Sequence, residues 1–202
     1  MRDLTHSIQT GMTAYAEDPP VELRTHATHE RDGYRVTAVS FGSHAGTHVD
    51  APAHTEPEGA TIETFPPDRF SFDARLVDCR PLDEHGQVGI DALPDVDCEL
   101  LIVRTGWDRY WGTDRYWAHP SLTPAAATWC AERGYDLAFD TPSPDPHGST
   151  ELPAHHALLG SDRLLIENLT GLEGLPRRFR LVAFPLALAD ADGAPVRAVA
   201  DV

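Results

Sequence analysis

Short hydrophobic runs recur along the chain, and in several of them consecutive positions are apolar instead of alternating with polar ones. Continuous runs of this kind predict strands that are covered on both faces. The predicted strands are Val36–Phe41, Arg75–Asp78, Leu100–Arg104, Leu137–Phe139, Leu164–Ile166, Leu181–Leu188 and Val196–Val199. The chain therefore reads as rich in strands.

One segment carries the signals of a helix at both ends. Thr123 suits an N-cap, Pro124 suits the first helical position, and Gly134 supplies a stop, so a helix is predicted over Pro124–Arg133. A shorter helical turn is predicted over His155–Leu159. Each helix comes just before a predicted strand, and this order predicts an α/β fold with a mixed β-sheet flanked by few helices.

Composition narrows the function classes. A chain of 202 residues with 41% hydrophobic content can bury its own core, which favours one domain over residues 1–202. The excess of 32 acidic over 16 basic side chains, a net charge of −16, argues against nucleic acid or an anionic membrane as a partner. Three widely spaced cysteines and the lack of a long apolar segment predict a cytoplasmic protein.

The chain holds eleven histidines, and one group of them has a spacing that indicates chemistry. His44, His48, Asp50 and His54 follow the first predicted strand directly. A single histidine is more often structural, but imidazole and carboxylate together are ligands that zinc and manganese prefer. Gly46 permits the sharp turn that convergence on one ion needs. The segment therefore predicts a metal or catalytic site.

A second group lies near the end of another predicted strand. Glu167 follows Leu164–Ile166, and a covered carboxylate there must be paired, protonated or bound to a metal. A histidine of the preceding helical turn, His155 or His156, can pair with it, so the two can complete a site begun by Asp50. Ser143 lies in a proline-rich loop without a nucleophile-elbow motif and is predicted to be a loop residue. The remaining histidines are predicted to be surface or structural: His6, His26, His29, His85, His119 and His147.

The segment from His44 to His54 resembles the His-x-Gly-Thr-His-x-Asp-x-Pro-x-His signature of the cyclase family of metal-dependent hydrolases, which includes bacterial kynurenine formamidase (arylformamidase) and isatin hydrolase. The resemblance continues through Asp3–Thr5, Arg104–Trp107, Asp140–Asp145 and His155–Leu169. It implies a swivelling β/β/α fold and a homodimer or a higher homo-oligomer.

The resemblance also implies a two-metal site with zinc, or with one manganese ion as in some relatives. Its implied ligands are His44, His48 and Asp50 for the first ion, with Asp50 bridging to a second ion held by His155 and Glu167. His54 matches the family's catalytic acid/base. His155 is chosen over His156 because it lies twelve residues before Glu167, and the register that uses His156 stays open.

The implied reaction is hydrolysis of an amide-type C–N bond in a small-molecule substrate by metal-activated water, most like N-formylkynurenine hydrolysis in tryptophan degradation. Tyr15–Asp18 departs from the family's Trp/Tyr-Pro-Gly-Asp stretch, so an isatin-type lactam, a lactone or an ester is an alternative. A non-catalytic binding protein is a third reading, against which His54 argues. The aromatic residues Trp107, Tyr110, Trp111, Tyr116 and Trp117 are predicted to be core or interface.

Overall fold

The computed structural model describes residues 1–15 and 17–202. Within them the strands are β1 (Arg2–Asp3), β2 (Glu22–Ala27), β3 (Val36–Ser40), β4 (His48–Asp50), β5 (Ser71–Asp78), β6 (Gln87–Val88), β7 (Leu100–Arg104), β8 (Ser121–Leu122), β9 (Asp136–Phe139), β10 (Leu165–Glu167), β11 (Arg178–Pro185) and β12 (Gly193–Asp201). The α-helices are α1 (His29–Asp32), α2 (Pro124–Glu132) and α3 (Pro153–Leu159). Short 3₁₀ turns cover Pro52–His54, Ile62–Thr64, Pro67–Phe70, Ile90–Ala92, Trp107–Tyr110 and Asp114–Ala118.

Seven strands form a closed mixed sheet. The order β12-β11-β5-β7-β9-β10-β4 returns to β12 because β4 also pairs with β12, and β1 adds to β12. The pairs β5·β7, β7·β9 and β9·β10 are parallel, whereas the pairs around β4, β11 and β12 are antiparallel. The predicted mixed α/β fold with few helices is therefore confirmed.

The apolar runs of the central strands supply two cores. In β7, Leu100 and Ile102 face the core that the closed sheet surrounds, while Leu101 and Val103 face a second core against α2 and α3. This division explains why the run is continuous, since both faces of the strand are covered. Helix α2 begins as predicted, with the Thr123 side chain accepting a hydrogen bond from the backbone N–H of Ala126.

The hairpin of β2 and β3 departs from the prediction. The strand predicted over Val36–Phe41 is present as β3, but all five of its residues are exposed because it pairs with β2 in a separate two-stranded sheet, so the burial expected for several of the apolar runs does not apply to it. His26 lies in β2, whereas His29 begins α1. In the described ranges, no helix combines the length and the apolar character needed to cross a bilayer.

Candidate metal centre and substrate cavity

The histidine-rich segment includes a strand that its sequence did not reveal, β4, which pairs with β10 on one side and β12 on the other. Gly46 forms the expected sharp turn with a φ of 68°, a conformation that favours glycine. The carbonyl of Gly46 lies 2.8 Å from Nδ1 of His48 and accepts a second hydrogen bond from the Asn168 side chain at 2.8 Å. This turn fixes the His48 ring with Nε2 free for another partner.

His48, Asp50 and Glu167 meet in the protein interior because of strand register. In the antiparallel pair of β4 and β10, Glu167 lies opposite His48. The Nε2 atom of His48 is 3.2 Å from Oδ1 of Asp50 and 3.4 Å from Oε2 of Glu167. None of the three residues is more than 4% exposed. Two acidic side chains and an imidazole thus share a buried space.

His155 reaches the same space from helix α3. Its Nε2 atom lies 3.4 Å from Oε1 of Glu167 and 3.8 Å from Oδ2 of Asp50. On the other side of the ring, Nδ1 hydrogen-bonds Oδ2 of Asp145 at 2.6 Å. The Asp145 carboxylate also accepts hydrogen bonds from the backbone N–H groups of Ala154 and His155, which ties the ring to the start of the helix.

The neighbouring histidine on α3 faces elsewhere. Nδ1 of His156 pairs with Oε1 of Glu56 at 2.8 Å, and its side chain is half exposed. Of the two registers that the sequence left open, the structure brings His155, not His156, beside Asp50 and Glu167.

His44 and His54 share a carboxylate that the sequence did not single out. Nδ1 of His44 is 2.8 Å from Oδ1 of Asp50, and its Nε2 is 2.9 Å from Oδ2 of Asp192. Nδ1 of His54 is 3.2 Å from the same Asp192 oxygen. The His44 and His54 rings lie 4.1 Å apart between centroids. Asp192 therefore links the two histidines at the edge of the buried cluster.

Several buried polar atoms of the cluster remain unsatisfied within the described part of the chain. Nε2 of His48, Oδ2 of Asp50 and Oε1 of Glu167 have no hydrogen-bond partner there. Unpaired buried polar groups are costly, so this arrangement calls for a bound cation. Ligand atoms lie within 4.8 Å of one another in three groups, which are His44, His48 and Asp50; Asp50, His155 and Glu167; and His44, His54 and Asp192. Because imidazole and carboxylate suit zinc and manganese, the donor set fits a divalent ion.

The electrostatics of the cluster agree with that fit. Burial lowers the pKa of His44, but the carboxylates of Asp50 and Asp192 outweigh it and raise that pKa to about 9. Burial likewise lowers the pKa of His155, whereas the carboxylates of Asp145 and Glu167 raise it to about 10. The carboxylates thus favour positive charge among the imidazoles, either a proton or a metal ion.

A cavity of about 580 Å³ opens onto the cluster. The cluster contributes five residues to the lining of this cavity: His44, His48, His54, His155 and Glu167. Its wall includes the aromatic rings of Tyr15, Trp111, Tyr116, Trp117 and His147. The Trp117 ring lies 4.9 Å from the Tyr15 ring and 5.0 Å from the His147 ring, measured between centroids. A volume and lining of this kind suit a small aromatic molecule.

Comparisons with known proteins agree with this architecture. A sequence profile of the family described as "Putative cyclase" matches residues 2–146. The chain belongs to the cyclase family. The matched part of this cyclase-family chain contains the His44–His54 segment, while His155 and Glu167 lie beyond it.

Two curated relatives of this cyclase-family chain are kynurenine formamidases. The protein from Bordetella petrii is 37% identical over 172 residues, which covers 81% of this chain and 79% of the relative. The protein from Salinibacter ruber is 33% identical over 209 residues, with 98% and 95% covered. Isatin hydrolase A from Labrenzia aggregata, solved with benzyl benzoate, superposes with a TM-score of 0.87 at 22% identity, covering 98% of this chain and 92% of that one. This last likeness concerns the fold, and it supports the cyclase-like architecture.

The sequence of this cyclase-family chain did not predict which residues beyond the cluster line the cavity. The aromatic stretch was expected to be core or interface, and Trp107 and Tyr116 are indeed fully buried; Trp111, Trp117 and Tyr116 itself also line the cavity. His147, expected to be a surface or structural residue, also lines it. Of the divergent stretch near the N-terminus, Tyr15, Glu17 and Asp18 line the cavity, while Ala16 lies outside the described residues.

Proposed function

We propose that this chain, an amide hydrolase of the cyclase family, cleaves the formamide C–N bond of N-formylkynurenine with metal-activated water. The observation that carries the proposal is the buried donor set with unsatisfied atoms at the end of an aromatic cavity. The two kynurenine formamidases at 37% and 33% identity support the choice of substrate.

The residues that would hold a first ion are His44, His48 and Asp50, and those that would hold a second are Asp50, His155 and Glu167. Zinc is the proposed metal, with manganese as the alternative, since both accept imidazole and carboxylate. When bound, the metal would activate a water molecule and polarise the carbonyl group under attack. The hydrogen bonds of His48 to Gly46 and of His155 to Asp145 hold the ligand rings in place.

His54 is the proposed acid/base. It lines the cavity and holds Asp192 through Nδ1, so Nε2 is the ring atom left to exchange protons. In this role it takes a proton from the attacking water and gives it to the leaving nitrogen of the formamide. The rings of Tyr15 and Trp117 would pack on the aryl group of the substrate and exclude bulk water from the bond that breaks.

A cyclic amide of the isatin type is the second candidate substrate. Tyr15, Glu17 and Asp18, which belong to the stretch that departs from the family's usual sequence, line the cavity. The departure therefore changes the surface that would contact the substrate. An isatin hydrolase also has the same fold. Both candidates use the same ligands and the same acid/base, and they differ in what the cavity wall accepts.

The test is turnover by protein stripped with a chelator and then reloaded with zinc or with manganese. N-formylkynurenine, isatin and an unrelated aryl ester are assayed in parallel, and elemental analysis gives the number of ions bound. We expect restored, metal-dependent turnover with the highest kcat/KM on N-formylkynurenine. Full activity in the stripped protein would contradict the metal role, and a preference for isatin would select the second candidate.

We propose that the enzyme works in the cytoplasm as a homodimer or a higher homo-oligomer. Cys79, Cys98 and Cys130 are all free thiols, which supports a reducing compartment such as the cytoplasm. The family resemblance supports a homodimer or a higher homo-oligomer and one hydrolase domain over residues 1–202. Light scattering on the purified protein would give the size of the assembly.

A further inference from the structure

Strand pairing places Asp192 over the candidate metal centre. It comes directly before β12, and its carbonyl accepts a hydrogen bond from the backbone N–H of Ala51 at 2.8 Å. The next residue, Gly193, pairs with Asp50 on β4. A Cβ at Gly193 would lie 2.7 Å from the carbonyl oxygen of Val49, so only glycine allows this close approach. The backbone therefore fixes the position of the Asp192 side chain.

The Asp192 carboxylate is surrounded by donors from the histidine-rich segment. Oδ1 accepts a hydrogen bond from the Ser43 hydroxyl at 2.8 Å. Oδ2 lies 2.9 Å from Nε2 of His44 and 3.2 Å from Nδ1 of His54. One oxygen atom thus contacts both a proposed metal ligand and the proposed acid/base.

We propose that Asp192 is a positioning residue that sets the tautomers of His44 and His54 at the same time. The proposal rests on the proposed function for its catalytic consequence, but the tautomers themselves can be observed without turnover. A carboxylate oxygen can only accept, so each histidine must present a ring N–H to Asp192. His54 then carries its hydrogen on Nδ1. His44 carries one hydrogen on Nε2, and without a metal it carries a second one on Nδ1, which faces Asp50.

Each of these hydrogen bonds leaves the other ring nitrogen available for the chemistry. For His44 that atom is Nδ1, which faces Oδ1 of Asp50 at 2.8 Å, and a metal ion bound there would take the place of the proton. For His54 the lone pair is on Nε2, where it can accept a proton from water. Asp192 thereby orients a ligand and a proton carrier without itself meeting the substrate.

The test compares Asp192→Ala, which leaves neither ring N–H an acceptor at this position, with Asp190→Asn. Asp190 is an exposed acid in the same loop with a φ of 53°, which asparagine tolerates, so the control removes the same charge without touching the site. Ring-nitrogen NMR of histidine-labelled, metal-free protein reports the tautomer of each histidine, and His54→Gln assigns the His54 signals. We expect an Nδ1–H tautomer for His54 in the unmodified chain and in Asp190→Asn, and its loss in Asp192→Ala.

The loaded enzyme gives the second readout. Removing an outer partner of a ligand costs about 10- to 100-fold in activity or metal affinity, so Asp192→Ala should lower kcat by that factor, with KM changed by less than roughly threefold. An Nε2–H tautomer of His54 in the unmodified chain would overturn the proposal even if Asp192→Ala fails to fold. Loss of one bound ion from Asp192→Ala at saturating metal would also overturn the proposal, because Asp192 would then be a ligand.

These outcomes are separable from failure of the proposed function. If the unmodified chain hydrolyses none of the amides, the proposed function fails while the ring tautomers still decide the role of Asp192. If the chain is active and Asp192→Ala matches Asp190→Asn in kcat and in ring signals, the positioning role fails while the proposed function stands.

Discussion

The ligand cluster and the wall of the cavity lie side by side but are built differently. The buried ligands proposed for the metal stand on β4, β10 and α3, where backbone pairing fixes which residues face each other, while His44 and His54 lie in turns on either side of β4. The wall comes from residues 13–15, 17, 18, 111, 116 and 117 and from the loop 142–152, which meet only in the fold. Regular elements hold most of the proposed ligands, whereas loops and short turns supply most of the surface that a substrate would meet. Changes in the cluster should therefore act on the reaction itself, and changes in the wall on substrate binding.

The largest effect is expected from removing a buried ligand charge. Glu167→Gln keeps the shape of the side chain but loses the carboxylate, so the second ion should be lost. Since a metal supplies several kcal/mol of charge stabilisation, kcat/KM should fall by at least about 10³-fold. Elemental analysis and kinetics check this. Glu58→Gln, an exposed position, is the matched control, and full metal content in Glu167→Gln would contradict the assignment.

The next effect separates a proton carrier from a ligand inside the cluster. His54→Gln should lower kcat by about 10²- to 10⁴-fold, because the acid/base is gone while every proposed ligand remains. Metal content measured on the same preparation should be unchanged. His26→Gln, an exposed histidine of β2, serves as the control. Loss of an ion in His54→Gln would instead identify His54 as a ligand.

A smaller effect, on substrate binding instead of on the reaction, is expected from changes in the cavity wall. Trp117→Leu removes a ring that packs near Tyr15 and His147 in the cavity. Losing part of the apolar contact with an aromatic substrate costs roughly 1.5 kcal/mol, so KM should rise about tenfold with little change in kcat. Trp129→Leu is the control, because Trp129 lies on α2, where it packs beside Tyr135 and does not line the cavity. A fall in kcat with an unchanged KM would break the distinction between cluster and wall.

The same contrast explains what the sequence could predict. The residues His44 to His54 are close in the chain, so their spacing alone indicated a metal site. Strands such as β7 were predicted because their apolar runs reflect two covered faces. The family resemblance supplied the pairing of this segment with a histidine and a glutamate more than 100 residues away.

Other features have no local signal. Asp192 lies 138 residues from His54 and reaches it only through the pairing of β4 with β12. Strand β4 has three residues, too few for a periodic pattern, and β3 is apolar in part yet exposed because it pairs within a hairpin. The wall depends on how loops meet, which neither periodicity nor spacing encodes.

The smallest effect is expected at His156, one of the two adjacent histidines of α3 that the sequence alone could not tell apart as ligands. His156→Gln removes an exposed pair with Glu56, and such pairs contribute little to stability or function. Its kcat, KM and metal content should stay within roughly twofold of the unmodified chain. His155→Gln, the same change one residue earlier, should lose an ion and most activity because its Nε2 faces Asp50 and Glu167. Equal losses in both variants would mean that helix stability, not ligand geometry, controls the site, since the two positions share a helix but only one faces the cluster.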